Sequence, residues 1–475
     1  MKHFLAVLLL VSLSFSLSAQ QQKFTGTWEG DLDAGMQKLR LVFNISQNET
    51  GVLQLSMQSP QQSAMQVPAD TAYAQGGTLT MEMKKFGISF SGKLVNDSTL
   101  EGEFVQGKPF PLQLKKVEDA SVVSQPKRPQ TPKPPYAYKS IEVGFTNKDQ
   151  SLRFAGTLTL PDTGNGKKYP AVILISGSGP QDRDETIFGH KPFAIIADHL
   201  TKNGFGVLRV DDRGTGRSTG VFSTATSADF AKDTEAALDY LATNASIDTK
   251  QIGLIGHSEG GQIAPMVASK RKEVSFIVLL AGPGIPCLDL MAEQNVTIFR
   301  SNGFPENVAN AYGPLYKQFM RAIINSADSA TALANGIKIL NDWKVVDTVK
   351  QIFRVATPED QAYFTSEKIA SVNNPWFRYF LSYDPVPVLK SLSCAVLALN
   401  GSRDLQVLPA SNLKGMEAAL KKSKTKNYEI KEIPGVNHLF QTCNSCSLEE
   451  YATLEESFSP AVLTIMTEWL QKQVK

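Results

Sequence analysis

Cysteine is scarce in this chain: four in 475 residues. That is too few for a disulfide-dense scaffold. Histidine is scarcer still for the length, with five. An excess of either charge is also missing, since 48 Lys and Arg stand against 46 Asp and Glu, a formal net charge of +2. Such balance argues against a polyanion-coating surface and gives no support to nucleic-acid binding. Long hydrophobic runs are absent beyond the first residues, and the one at the start, Phe4 to Leu17, is too short to span a bilayer comfortably. What is present is ordinary globular material. Apolar residues make up 42% and charged residues 20%, enough to bury a large core. The length sets a soft prior of about three domains.

Residues 1–19 read as an export signal. Lys2 and His3 give a short basic start, the apolar run follows, and Ser-Leu-Ser-Ala ends at Ala19. This is the layout of a secretory signal peptide. No cysteine precedes Cys287, so no lipid-attachment site lies near the cleavage point. The expected product is exported, periplasmic or secreted, with no membrane span.

The rest divides by pattern. Residues 20–118 alternate apolar and polar positions in short segments such as Lys38–Ile45, Thr78–Met83 and Thr99–Val105, with Gly76-Gly77 and Asn96-Asp97 between them. Short strands at regular spacing imply a small all-β barrel or sandwich. Gly26-Thr-Trp28 resembles the opening Gly-x-Trp of lipocalin-like barrels, and a Trp plugging a barrel end explains it equally well. Residues 119–138 carry Pro126, Pro129, Pro132, Pro134 and Pro135 and read as a semi-extended linker. From 139 to 475, buried strands alternate with helices, which implies a mostly parallel sheet with helices on both faces. A stretch at about 287–390, without strand pattern and rich in aromatics, reads as a helical cap.

Gln251–Gly261 reads QIGLIGHSEGG. A β run enters Gly256-His257-Ser258-Glu259-Gly260 and a helix follows, so Gly-x-Ser-x-Gly stands in the strand-to-helix context that makes Ser258 a candidate nucleophile. Gly256 and Gly260 lack the Cβ atoms that would collide in so tight a turn. A second match, Gly216-Arg-Ser218-Thr-Gly220, follows its strand by several residues and is not a sharp elbow.

A serine hydroxyl needs a base. Without the leader the chain offers His190, His199, His257 and His438. His257 adjoins the nucleophile and cannot easily turn its ring onto it. His199 lies in an amphipathic helix, and His190 in a turn before it. His438 follows the last expected strand, where parallel sheets place their chemistry, and is the expected base. Asp404, in Leu399-Asn-Gly-Ser-Arg-Asp, follows the preceding strand and is the expected orienting acid. Asp384 is a rival, but an Asp before Pro is more often a turn residue.

Five motifs in order, Ser176–Asp184, Asp211–Ser218, Gly256–Gly261, Gly401–Asp404 and Gly435–His438, resemble serine hydrolases of the α/β-hydrolase superfamily. The resemblance covers about residues 139–475 and is closest to exported bacterial carboxylesterases related to serine aminopeptidases. It implies an α/β-hydrolase fold behind the small all-β domain. It assigns the oxyanion hole to the backbone N–H groups of Ser178 and Glu259, with Ser176-Gly177 replacing the usual His-Gly pair. It makes Arg213 a structural ion pair rather than a substrate ligand.

The Asp182-Arg183-Asp184 cluster reads as a hydrogen-bonded loop clamp. Cys443-Asn-Ser-Cys446 lacks the second ligand pair that a zinc site needs, and a local disulfide or free thiols remain open. The expected activity is cleavage of carboxylic esters through an acyl-enzyme, with no metal or organic cofactor. The expected partner is a small-molecule ester, or a short peptide if the protein is instead a peptidase or amidase with Glu259 and Arg183 as anchors. A third reading is a non-catalytic envelope-binding protein with a degenerate hydrolase domain.

Overall fold

Strict alternation in the first hundred residues becomes an antiparallel sheet because every second side chain can be buried on one face. The structure, a computed structural model, describes residues 22–33, 38–48, 50–59, 66–117, 127–162 and 166–474. The expected export signal at 1–19 and the start of the expected linker, 119–126, lie outside the described residues. The chain divides into two compact units, Met1–Lys127 with Ile187–Gly189, and Arg128–Thr186 with His190–Lys475.

In the first unit the strands are β1 (Gly26–Asp33), β2 (Lys38–Gln47), β3 (Leu53–Gln58), β4 (Val67–Pro68), β5 (Thr71–Gln75), β6 (Thr78–Met83), β7 (Ile88–Asn96), β8 (Thr99–Gln106) and β9 (Lys108–Val117). Among the described residues they form one sheet in the order β4-β3-β2-β1-β9-β8-β7-β6-β5. Strands β4 and β5 sit at opposite edges yet are two residues apart in the chain. The Ala69 N–H reaches Leu55 O and the Asp70 N–H reaches Glu82 O, both at 2.8 Å. The sheet therefore curls until its edges meet. Trp28, Phe43, Phe90 and Phe104 fill the interior, each no more than 2% exposed. The Trp28 indole N–H donates to Phe24 O at 2.7 Å, which satisfies the one polar group that this ring brings inside.

The second unit holds β10 (Tyr138–Thr146), β11 (Arg153–Pro161), β12 (Tyr169–Ile175), α1 (Pro192–Lys202), β13 (Gly206–Val210), α2 (Ser227–Ala242), β14 (Ile247–His257), α3 (Gly260–Ala268) and β15 (Val274–Leu280). Seven helices follow: α4 (Cys287–Ser301), α5 (Glu306–Ile324), α6 (Ser329–Asp342), α7 (Asp347–Ile352), α8 (Pro358–Val372), α9 (Pro375–Ser382) and α10 (Val386–Ser391). The sheet resumes with β16 (Ala395–Gly401), α11 (Pro409–Leu420), β17 (Tyr428–Ile433) and α12 (Pro460–Gln473).

The strand order is β10-β11-β13-β12-β14-β15-β16-β17. Strand β11 runs antiparallel to both of its neighbours, and the strands from β13 to β17 pair in parallel. Side chains of each central strand alternate between two cores. Ile173, Leu254 and Ile277 pack with Leu238 and Ile263 on one face. Val172, Ile255 and Val278 pack with Ile196 and Trp469 on the other. Truncating a ring as deeply buried as Trp469 costs about 3–5 kcal/mol. The helices between β15 and β16 have a core of their own, which includes Phe299, Tyr312, Phe319 and Leu340.

Within the expected linker, residues 128–130 are held by side-chain hydrogen bonds to the second unit. Arg128 donates to the carbonyls of Leu454 and Ala452 at 2.5 and 2.8 Å. Gln130 donates to Phe458 O and accepts from the Ser457 N–H. Residues 128–130 are thus docked on this unit, and β10 begins at Tyr138.

Candidate active site

The parallel strands direct their C-terminal ends to one rim, and three loops there meet. Strand β14 ends at His257, the chain turns at Ser258, and α3 starts two residues later. Ser258 has φ of 51°, a left-handed conformation that costs a non-glycine residue free energy and is kept where neighbours enforce it. The enforcement is steric. A Cβ on Gly256 would lie 2.0 Å from Gly260 O, and one on Gly260 would lie 2.1 Å from Ile175 O. Only glycine at both positions lets strand, turn and helix pack so closely. Ser258 is half-buried at the rim.

The loops after β16 and β17 are stitched to each other. Ser402 N–H donates to Ile433 O, Arg403 N–H to Val436 O, and Gly435 N–H to Ser402 Oγ. This brings Asp404 and His438 together from 34 residues apart in sequence. His438 Nδ1 donates to Asp404 Oδ2 at 2.8 Å. The Ser258 hydroxyl donates to His438 Nε2 at 3.1 Å. Asp404 is 3% exposed, and its other oxygen accepts the N–H groups of Gln406 and Val407 at 2.8 and 2.9 Å. Backbone donors of this kind offset the cost of burying an ionised carboxylate. The structure thus places the three residues singled out from sequence in one hydrogen-bonded chain.

The loop after β12 faces the elbow. The Gly177 N–H donates to Glu185 Oε1 at 2.6 Å, so it is occupied. Among the described residues, the N–H groups of Ser178 and Glu259 donate to no protein acceptor. Asp212 holds this loop from below, accepting from Ser176 Oγ and from the Gln181 N–H, each at 2.9 Å. Burial, with the nearby Glu259 and Glu185 charges, pushes the Asp212 carboxyl up to about 8. A cavity of about 50 Å³ beside Ser176, Gly177, Asp212 and Glu259 has room on the scale of a water molecule.

The Glu259 side chain is also occupied. Its Oε1 accepts from Ser227 Oγ at 2.6 Å and from the Trp376 indole N–H at 2.8 Å. Burial raises its pKa. Trp376 belongs to α9, so this bond fastens a helix of the insertion to the elbow.

The other candidates are structural. Ser218 Oγ donates to Asp211 O and accepts the Ala155 N–H. Asp384 is an exposed turn residue that accepts the Val386 N–H. His190 is bonded to Ser457 and Tyr451 O, and His199 to Thr467. Arg213 pairs with Asp233 at 2.6 Å. Arg183 is paired with Asp211 and Glu142, both at 2.8 Å, and Asp182 accepts from the Asp184 and Thr186 backbone. Cys443 and Cys446 form a disulfide. They and Glu450 are the grouping among the described residues that resembles a metal site, but a disulfide leaves no thiolate to ligate.

Sequence reading missed Glu185. It lies in the loop beyond the acidic cluster, is 4% exposed, and accepts from His257 Nδ1 at 2.9 Å. Nothing in its sequence context marks it; only its partner 72 residues away does.

The family described as serine aminopeptidase, S33, matches residues 191–301. This stretch carries the elbow and the helix after it. The esterase EstD of Thermotoga maritima is 27% identical over 297 residues, 62% of this chain and 60% of that protein. The chain resembles a serine hydrolase of the α/β-hydrolase superfamily. The match thus takes in less than two thirds of that relative's length. Among solved structures, an esterase of Pyrococcus furiosus aligns with a TM-score of 0.44 at 17% identity, over 70% of this chain and 91% of that one. Est1E of Butyrivibrio proteoclasticus, solved with ferulic acid bound, aligns with a TM-score of 0.40 at 17% identity, over 70% and 96%. No helix among the described residues is long and apolar enough to cross a membrane.

Proposed function

We propose that this protein is an exported serine esterase that cleaves carboxylic esters through an acyl-enzyme. The observation that carries the reading is the Ser258–His438–Asp404 chain, with hydrogen bonds of 3.1 and 2.8 Å. Ser258 Oγ attacks the ester carbonyl carbon as its proton passes to His438 Nε2. Asp404 holds the imidazole by Nδ1 and stabilises the imidazolium. The negative charge that develops on the carbonyl oxygen is met by the N–H groups of Ser178 and Glu259, donors worth about 3–4 kcal/mol of barrier each. The alcohol leaves with the proton from His438. Water, deprotonated by the same imidazole, then releases the acid and restores Ser258. Beyond substrate and water, these steps use side chains and backbone groups of the chain. The basic-then-apolar leader and the Cys443–Cys446 disulfide support an oxidising location, periplasmic or secreted.

A second reading, a peptidase or amidase for short peptides, is favoured by the serine aminopeptidase match over residues 191–301. The anchors it would use are committed elsewhere: Glu259 to Ser227 and Trp376, and Arg183 to Asp211 and Glu142. That weighs toward the ester. Paired assays on short-chain p-nitrophenyl esters and aminoacyl anilides separate the two. The expected result is ester turnover that exceeds anilide turnover and is lost in Ser258→Ala. A preference for anilides overturns the ester assignment.

A further inference from the structure

A buried histidine beside the serine has more hydrogen-bond acceptors than a neutral ring can serve. His257 is 6% exposed. Its Nδ1 faces Glu185 Oε1 at 2.9 Å, and its Nε2 faces the backbone carbonyl of His438 at 3.0 Å. Both partners are acceptors, and a neutral imidazole carries one N–H. Glu185 Oε1 also accepts the Gly177 N–H at 2.6 Å, so that oxygen is already engaged as an acceptor. The arrangement is satisfied by an imidazolium beside a carboxylate. An ion pair at this depth survives only when its members are well paired and hydrogen-bonded, and here each is.

The pair touches everything that has to be in register. Glu185 grips the oxyanion loop through Gly177. His257 grips the backbone of His438, whose ring lies 5.0 Å away, centroid to centroid. A Cβ on Gly177 would lie 3.1 Å from Glu185 Oε1, 3.2 Å from Ser258 Cβ and 3.5 Å from His257 Nδ1, so the three pack directly against that glycine. Glu185 itself holds φ of 52°, a second strained residue next to the elbow.

We propose that Glu185 and His257 are positioning residues, a buried pair that holds the oxyanion loop and the His438 loop in register about Ser258. The inference rests on the hydrolase reading above. It assigns neither residue a contact with substrate.

The charge on His257 follows from its surroundings. Burial opposes it, but the Glu185 carboxylate, the His438 carbonyl and the more distant Asp404 outweigh that, and the ring's pKa is raised. The groups that bear on the pair are Glu185 from the β12 loop, Asp404 and His438 from the loops after β16 and β17, and Asp212 and Glu259 through Glu185 and the elbow. A ring whose folded pKa exceeds its unfolded value of about 6.5 contributes its stabilisation fully below that value. The contribution is lost as pH rises through the folded pKa. One of the two contacts then fails, and activity falls on the alkaline side.

The test compares wild type, Glu185→Gln, His257→Asn and His257→Gln. Each is followed for fluorophosphonate labelling, for thermal unfolding, and for kcat and KM on a short-chain p-nitrophenyl ester from about pH 5 to 10. The expected result for Glu185→Gln is kcat roughly 10- to 100-fold lower, KM changed less than about threefold, and the alkaline limb moved toward lower pH. His257→Gln, which leaves a donor for His438 O, and His257→Asn, which leaves one for Glu185, are both expected to slow kcat.

A folded Glu185→Gln protein whose kcat and pH profile superimpose on wild type overturns the proposal. If that variant fails to fold, wild-type kcat in both His257 variants overturns it equally. Wild type that neither labels nor turns over ester removes the hydrolase reading first, and the positioning role with it.

Discussion

In the β unit the buried side chains are almost all carbon: Trp28, Phe43, Phe90 and Phe104, with Thr27 and Gln58 the buried polar residues described there. In the second unit comparable burial holds Glu185, Asp211, Glu259, Asp404, His257 and His438. Several of these gather about the rim where Ser258 turns. Burying an ionisable group costs far more than burying a ring, unless partners are supplied. The second unit supplies them largely through the loops after β12, β13, β14, β16 and β17 at one rim of its sheet, while in the β unit the buried polar groups described are the Trp28 indole N–H and the neutral side chains of Thr27 and Gln58. The difference separates an interior that fills space from one that holds ionisable groups in fixed pairs.

The sharpest break of that contrast is at the serine. Ser258→Ala is expected to lower ester turnover by about 10⁴-fold or more with little change in melting temperature, read by steady-state kinetics and calorimetry. Next comes Asp404→Asn, expected to lower kcat by about 10³- to 10⁴-fold, since an amide cannot hold the imidazolium; activity within tenfold of wild type contradicts it. Trp28→Ala acts on the other interior. It is expected to destabilise the β unit by about 3–5 kcal/mol in a urea titration while Ser258 still takes the fluorophosphonate label. The smallest effect belongs to Cys443→Ser with Cys446→Ser. Because the bridge closes so short a loop, about 2 kcal/mol of stability is expected to be lost, with the probe still bound at Ser258.

What could be read from sequence follows the same division. Ser258 stood out because a turn too tight for Cβ atoms leaves glycines on both sides. His438 and Asp404 stood out because each follows a parallel strand and histidine is rare. Segments such as Thr78–Met83 stood out because alternation survives in them. Strands β1, β4 and β5 did not: β4 is two residues long, and β5 (TAYAQ) buries Ala74 alone. Glu185 was hidden because its meaning lies in a partner 72 residues away. The docking of Arg128 was not legible because prolines announce an extended chain but not the carbonyls of Ala452 and Leu454 that this side chain reaches.

The most direct test of the central claim is intact-mass analysis of the purified protein after treatment with a fluorophosphonate. The expected result is one adduct, localised by peptide mapping to Ser258, and none on Ser258→Ala. A wild-type protein that stays unmodified, or an adduct that persists at another serine when Ser258 is replaced, contradicts it.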